Sequence, residues 1–348
     1  MFHLRFAKII LFALAAAIVG VPSAGLAAEP PRIEFEIVTE QGLTPVTTQK
    51  WYKTLTDLKV AGLRIRGETS GDQPKIDETG VKDRRVFRVT GRIDSRGTLI
   101  VPGGRFTTAD APKIARWIHE LSNNGVAGVT ERKVAFGLTK GQLAEVTKDL
   151  TRPVAFSTKG IKPTDAVQQI VASLRLKATL DDETKRTLLA DEPVRDELEG
   201  LSSGTALAAL LRPAGAALVP LKPDGEPVQY RLIAAQSATE IWPVGWPPKQ
   251  PRGKVAPKLI ELLNAEIDGF SAAEAIEAIR GRLGMPLLFD HNNLVRHRID
   301  LATPITVPAR RTYYSKVLDQ ALFKVGLMYE LRVDENEKPI LWITTLKR

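Results

Sequence analysis

Asp290, His291 and His297 place one carboxylate and two imidazoles close together in the chain, a ligand set that zinc accepts. Their spacing fits neither a helix face nor a knuckle, and Arg296 and Arg298 would repel a cation. The stretch therefore reads as a polar connection. Carboxylates also gather at Asp181, Asp182 and Glu183 and at Asp191, Glu192, Asp196 and Glu197. A glycosidase needs two carboxylates facing each other across a cleft, whereas these share one polar connection between helices, as solvated side chains do. Pro102-Gly103-Gly104 lacks the lysine and hydroxyl of a phosphate loop, and no serine sits in a Gly-x-Ser-x-Gly elbow. The chain has no cysteine, which removes thiolate nucleophiles, thiolate zinc sites and iron–sulfur clusters. No catalytic, cofactor-binding or metal residue is assigned, and a non-enzymatic role is expected.

The remaining candidates are residues of recognition. Trp242 and Trp246 lie in a proline-rich stretch, where helix periodicity does not imply burial. Exposed, they would stack on a sugar ring or fill a partner's pocket. Buried, they would staple the stretch onto its neighbours, the favoured reading, because large exposed aromatics are uncommon without a partner. Arg85, Arg88 and Arg92 belong to a basic group with Lys82, Arg84 and Arg96 in a chain of formal net charge +9. Such a group can meet anionic polysaccharide or lipid headgroups. A solvated charged strand face is the simpler account.

Arg5 and Lys8, an apolar run over 9–21 and small residues over 22–28 have the layout of a secretory signal peptide, 1–28, cleaved after Ala27 or Ala28. Its loss takes Arg5 and Lys8 from the +9 and leaves +7. A periplasmic or secreted location is expected, with no later stretch apolar enough to span a bilayer. Export without cysteine means that ordinary hydrophobic cores carry the fold. Export also argues against nucleic acid, leaving envelope proteins, anionic polysaccharide and a second copy of the chain as expected partners.

The periodicities predict an α+β protein. Residues 30–159 read as an N-terminal, sandwich-like α/β domain. Period-two stretches at 33–38, 63–66, 86–93 and 98–101 are strands, and helices are expected at 49–58, from 108 or 110 to 125, and at 139–150. Residues 68–80 read as a loop, and 133–136 and 154–157 as further strands. Two α+β modules follow, 160–236 and 258–348, separated by a Pro/Trp-rich segment, 237–257, whose prolines favour a stiff extended connector. Ser271 with Glu274 is a capping-box signature.

The two modules share a pattern. Gly160 and Gly269, like Leu174 and Leu283, are 109 residues apart, and Leu211 and Leu322, like Gly215 and Gly326, are 111 apart. An old duplication tolerates such drift. The order helix, strand, polar connection, helix, glycine, hairpin resembles the short N-terminal modules of secretins and TonB-dependent receptors. The second module carries the likeness best, in Ser271-Ala272-Ala273-Glu274-Ala275-Ile276, Gly284-Met285-Pro286-Leu287-Leu288-Phe289-Asp290, Tyr314-Ser315-Lys316-Val317-Leu318-Asp319-Gln320-Ala321-Leu322 and Gly326-Leu327-Met328-Tyr329-Glu330-Leu331. The overall layout also resembles exported proteins of planctomycete-type bacteria, which implies no activity. The module resemblance implies small periplasmic units of two helices against short sheets, used for protein–protein contact and ring assembly, with no catalytic residues. The chain departs from those families in having no barrel after the modules and in an apparent extra segment at Pro304-Ile305-Thr306-Val307-Pro308. The expected function is an exported scaffold or adaptor. The alternatives are a polysaccharide binder and a hydrolase whose acid pair forms between domains.

Overall fold

The computed structural model describes residues 31–81, 84–190 and 192–346. The leader, Lys82 and Asp191 lie outside them. The fold is mixed α and β with several small sheets. The first part contains β1 (Arg32–Thr39), α1 (Pro45–Asp57), β2 (Gly62–Gly67), β3 (Lys75–Val81), β4 (Arg84–Ile93), β5 (Leu99–Val101), β6 (Gly104–Phe106) and α2 (Ala111–Thr130). β1 runs parallel to both β2 and β4. β3 pairs antiparallel with β4, and β5 and β6 extend the sheet from the end of β4. Trp51 and Leu55 of α1 and Ile114, Trp117 and Leu121 of α2 pack on Phe35, Ile37, Phe87 and Val89 of the sheet. Two expectations shift here. The 68–80 loop ends in the edge strand β3, and α2 passes the Asn123-Asn124-Gly125 stop by a kink at Gly125, with φ 68 and ψ −167.

The rest of the chain contains α3 (Lys140–Leu150), α4 (Pro163–Ser173), β7 (Ala178–Leu180), α5 (Asp182–Ala190), α6 (Ser203–Leu211), β8 (Ala216–Leu221), β9 (Gln229–Ala234) and α7 (Arg252–Val255). Then come β10 (Leu262–Ser271), α8 (Ala272–Leu283), β11 (Leu287–Phe289), α9 (His291–Arg296), β12 (Pro304–Tyr313), α10 (Tyr314–Lys324), β13 (Leu327–Val333) and β14 (Pro339–Thr345). Residues 133–136 form no strand; Lys133 makes one bridge to Thr139, and Phe136 sits in a tight turn at φ 60. Residues 154–157 do not close the N-terminal sheet. Leu138, Val146, Leu150 and Val154 pack instead with Val167, Leu207 and Leu218 in the next core.

The halves on either side of the 237–257 segment match residue by residue. β7, β9 and β8 form a sheet in that order, with β7 parallel to β9 and β8 antiparallel; β11, β14 and β13 do the same. Ala178 pairs with Tyr230, and Leu287, 109 residues on, pairs with Leu341, 111 on. Ala216 pairs with Ala234, and Leu327 with Thr345, both 111 on. The buried faces keep the same register. Ala166, Val167 and Ile170 of α4 correspond to Ala275, Ile276 and Ile279 of α8. Ala206, Leu207, Leu210 and Leu211 of α6 correspond to Val317, Leu318, Ala321 and Leu322 of α10.

The correspondence reaches further back than the sequence pattern suggests. β10 and β12 form a two-stranded antiparallel ribbon in which Leu262 faces Tyr313. In the first repeat Pro153 faces Ser202 at the same two offsets, and the Val154 and Gly160 amides donate to the Leu201 and Val194 carbonyls. Pro304-Ile305-Thr306-Val307-Pro308 is therefore not an addition; it is the regular version of a pairing that the first repeat makes irregularly. Leu150, at the end of α3, corresponds to Leu259, and both are fully buried. The capping box at Ser271 forms as expected, its hydroxyl accepting from the Glu274 amide and the Glu274 carboxylate accepting from the Ser271 amide.

Candidate functional site

The two repeats meet around α6. This helix is buried on every side except at Ala209, and after Thr205 its sequence is apolar without a stripe. Leu288, Ile340 and Trp342 of the second repeat complete its core. A helix leaves its first amides without partners. Here the second repeat's hairpin turn, 334–338, supplies them. Asp334 Oδ2 accepts from the Ser202 amide at 2.9 Å, and Glu335 Oε2 accepts from the Thr205 amide at 3.1 Å and its hydroxyl at 3.0 Å. Negative charge is favourable at a helix N-terminus.

Glu335 is also where the 237–257 segment is anchored. Trp242 Nε1 donates to Glu335 Oε1 at 2.6 Å and Trp246 Nε1 at 3.3 Å. The indoles meet edge to face at 5.1 Å, and Trp242 stacks on Phe136 at 5.6 Å. Trp242 is 2% exposed and presents no face to a sugar; Trp246 is half-buried. The segment follows both repeats through backbone bonds from Trp242 to Leu218 and, reciprocally, between Trp246 and Val333. It is a strap rather than a free spacer, and it contains the short helix α7 after Pro251. Burial pushes the Glu335 carboxyl above its ordinary pKa, and the Trp242 and Thr205 donors oppose that rise. Gly204 leaves the space this cluster fills: a Cβ there would lie 2.6 Å from Glu335 Oε1 and 2.7 Å from Trp242 Nε1.

At the other end of α6, Arg212 makes a two-pronged ion pair with Asp290, Nε to Oδ1 at 3.0 Å and Nη2 to Oδ2 at 2.9 Å. Asp290 is 2% exposed. Its counterpart, Asp181, uses its carboxylate to accept from the Thr184 amide at the start of α5. The duplicated aspartates thus have different jobs, one closing its own helix and one gripping the other repeat. Asn292 donates to the Arg212 carbonyl, and the Arg212 guanidinium lies 5.6 Å from the centre of the Trp342 ring.

Beside α9 lies a cavity of about 490 Å3 between the repeats. His291 Nε2 and Asp196 Oδ2 sit 2.9 Å apart on its wall. A second cavity, about 380 Å3, shares Arg195, Asp196, His291 and Val295 with the first. Asp290, His291 and His297 do not converge, since His291 begins α9, His297 follows its last residue, and Asp290 is committed to Arg212. α9 occupies what the sequence presents as a polar connection.

Arg85, Arg88 and Arg92 each face a carboxylate, Glu78 at 3.7 Å, Glu34 at 3.4 Å and Glu68 at 3.4 Å. They belong to a cross-strand ladder of opposite charges on the first sheet, which the Arg66 pairs to Glu36 and Asp72 continue. The sequence reading missed Glu335, Asp334, Arg212 and Gly204. Asp334, Glu335 and Arg212 meet partners across α6 that lie 78 to 132 residues away, and an acidic hairpin turn resembles any solvated turn. The unbroken apolar run Ala206–Leu211 of α6 was the one signal that something covers this helix on both sides.

No family model, no curated protein and no solved structure matches the chain.

Proposed function

We propose that this protein is an exported, non-enzymatic scaffold or adaptor of the cell envelope, built on two α+β modules like the short modules of secretins and TonB-dependent receptors. The observation that carries the reading is the β10–β12 ribbon. No other strand pairs with either of its outer edges among the described residues. Leu262, Phe270 and Tyr313 stand exposed along it, Phe270 at 58%. Open edges with apolar side chains are where another chain adds a strand. The layout of α8 and α10 against a two-stranded and a three-stranded sheet agrees with the resemblance. The shared core and the buried polar contacts that join the repeats agree with a rigid support. The 1–28 leader supplies the envelope location in this reading.

The test is capture from envelope extract by the full chain and by a Leu262→Lys, Phe270→Lys variant, both substitutions lying on exposed positions. Wild type is expected to retain a defined set of proteins that the variant loses. Capture indistinguishable from that of an unrelated basic protein defeats the reading.

A further inference from the structure

We infer that the trough between the repeats, running from the cavity beside α9 into its neighbour, binds an extended peptide segment that presents a carboxylate between apolar side chains. The inference rests on the scaffold reading and names the partner chemistry of one site within it. The two cavities, about 490 and 380 Å3, each fall in the range of ligand pockets. Arg195, Asp196, His291 and Val295 line both, so the two cavities adjoin across that ridge, and a ligand that fills both must reach over it, as successive side chains of a peptide do. Its floor is apolar, with Leu198 and Leu210 buried beneath it, and Val295 stands 71% exposed on the lip.

The charge of the trough decides what else it takes. Glu192 pairs with Arg195, and the Asp196 carboxylate lies at hydrogen-bond distance, 2.9 Å, from His291 Nε2. Arg296 at the first cavity and Arg298 at the second are exposed and form no ion pair among the described residues. Two unpaired guanidinium groups against the single Asp196 carboxylate leave the apolar floor with an excess of positive charge, which favours a carboxylate flanked by apolar side chains, because guanidinium–carboxylate bonds are among the strong ones. Arg298 also holds a position that glycine normally takes. α9 ends with the Ile299 amide donating to Leu294 and the Arg298 amide to Val295, the arrangement that puts the intervening residue in the left-handed region. Arg298 does so at φ 50. Such strain persists where a side chain is needed for another purpose.

The test is selection of a displayed library of random heptapeptides on the full chain, followed by fluorescence anisotropy with the enriched peptide. Enrichment of peptides carrying Asp or Glu between apolar residues is expected. Replacing that acid by its amide, or Arg296→Gln in the protein, should weaken binding by about tenfold or more. Val295→Asp should abolish it, with thermal midpoints of both variants unchanged. No enrichment over the Val295→Asp, Arg296→Gln double variant overturns the inference, as does equal affinity for acid and amide peptides. If the double variant still captures the same envelope proteins as wild type, the scaffold reading stands and the trough alone falls.

Discussion

Replacing Gly204 by alanine should destabilise the protein, against the usual sign of that change in a helix. Glycine to alanine inside a helix ordinarily stabilises by about 0.5–1 kcal/mol. At Gly204 the new Cβ would stand 2.6 Å from Glu335 Oε1, 2.8 Å from its Cδ and 2.7 Å from Trp242 Nε1. Both atoms are held by the 2.6 Å bond between them, so neither can yield alone. Overpacking of this kind costs about 1–3 kcal/mol. Displacing Glu335 also leaves a buried indole or Thr205 amide without a partner, at about 1–3 kcal/mol. After the propensity gain, a net loss of about 1–5 kcal/mol is expected. Gly281, in α8, is the control: nothing lies within 4 Å of its Cβ position, and alanine there should stabilise by about 0.5–1 kcal/mol. Urea denaturation followed by tryptophan fluorescence measures both. A Gly204→Ala protein as stable as its parent, alongside a Gly281→Ala protein of the expected sign, would refute the close packing of the strap against α6.

Glu335 predicts a pH dependence. Burial raises its folded pKa above the unfolded value, so the stability it contributes is fully present below the ordinary carboxylate pKa and is lost as pH rises through the folded value. The parent should therefore weaken as pH rises through that value, and Glu335→Gln should flatten this part of the profile; parallel urea-midpoint profiles for the two proteins would contradict it. Arg298→Gly should raise stability by up to about 1 kcal/mol by relieving the left-handed arginine while weakening the peptide binding inferred for the trough. A variant that loses stability would show that the arginine side chain supports the fold itself.

Local signals were legible where local chemistry decides. Ser271 and Glu274 read correctly as a cap because both partners lie within one turn, and the alternating strands β1 and β4 read correctly because one face of each is buried. β3 escaped because an edge strand such as Lys75-Ile76-Asp77-Glu78-Thr79 needs no apolar face of its own. α5 escaped because Asp182-Glu183-Thr184-Lys185-Arg186 is as polar as a loop. The Asn123-Asn124-Gly125 stop failed because Gly125 turns the chain without ending the helical run. Residues 154–157 read as a strand of the domain before them, whereas the backbone partners of Val154 come later, at Gly200 and Leu201. The registers of the repeat were legible, but its extent was not, since its earliest part is irregular in the first copy. The junction was invisible, because pairs such as Glu335 with Thr205 and Asp290 with Arg212 join residues that no window of sequence contains.

The hairpin turn that closes α6 has a consequence for how this chain can change over generations. Units of a tandem array are exchangeable when each presents the same generic faces to its neighbours. Here the first unit's central helix is finished by two carboxylates that belong to the second, and the indole that fixes one of them comes from the strap between them. The second unit cannot be swapped or dropped without leaving the first with bare helix amides, nor the first without leaving Asp334 and Glu335 of the second without those donors. Positions 204, 242 and 335 must drift together, and the pair is inherited as a single part.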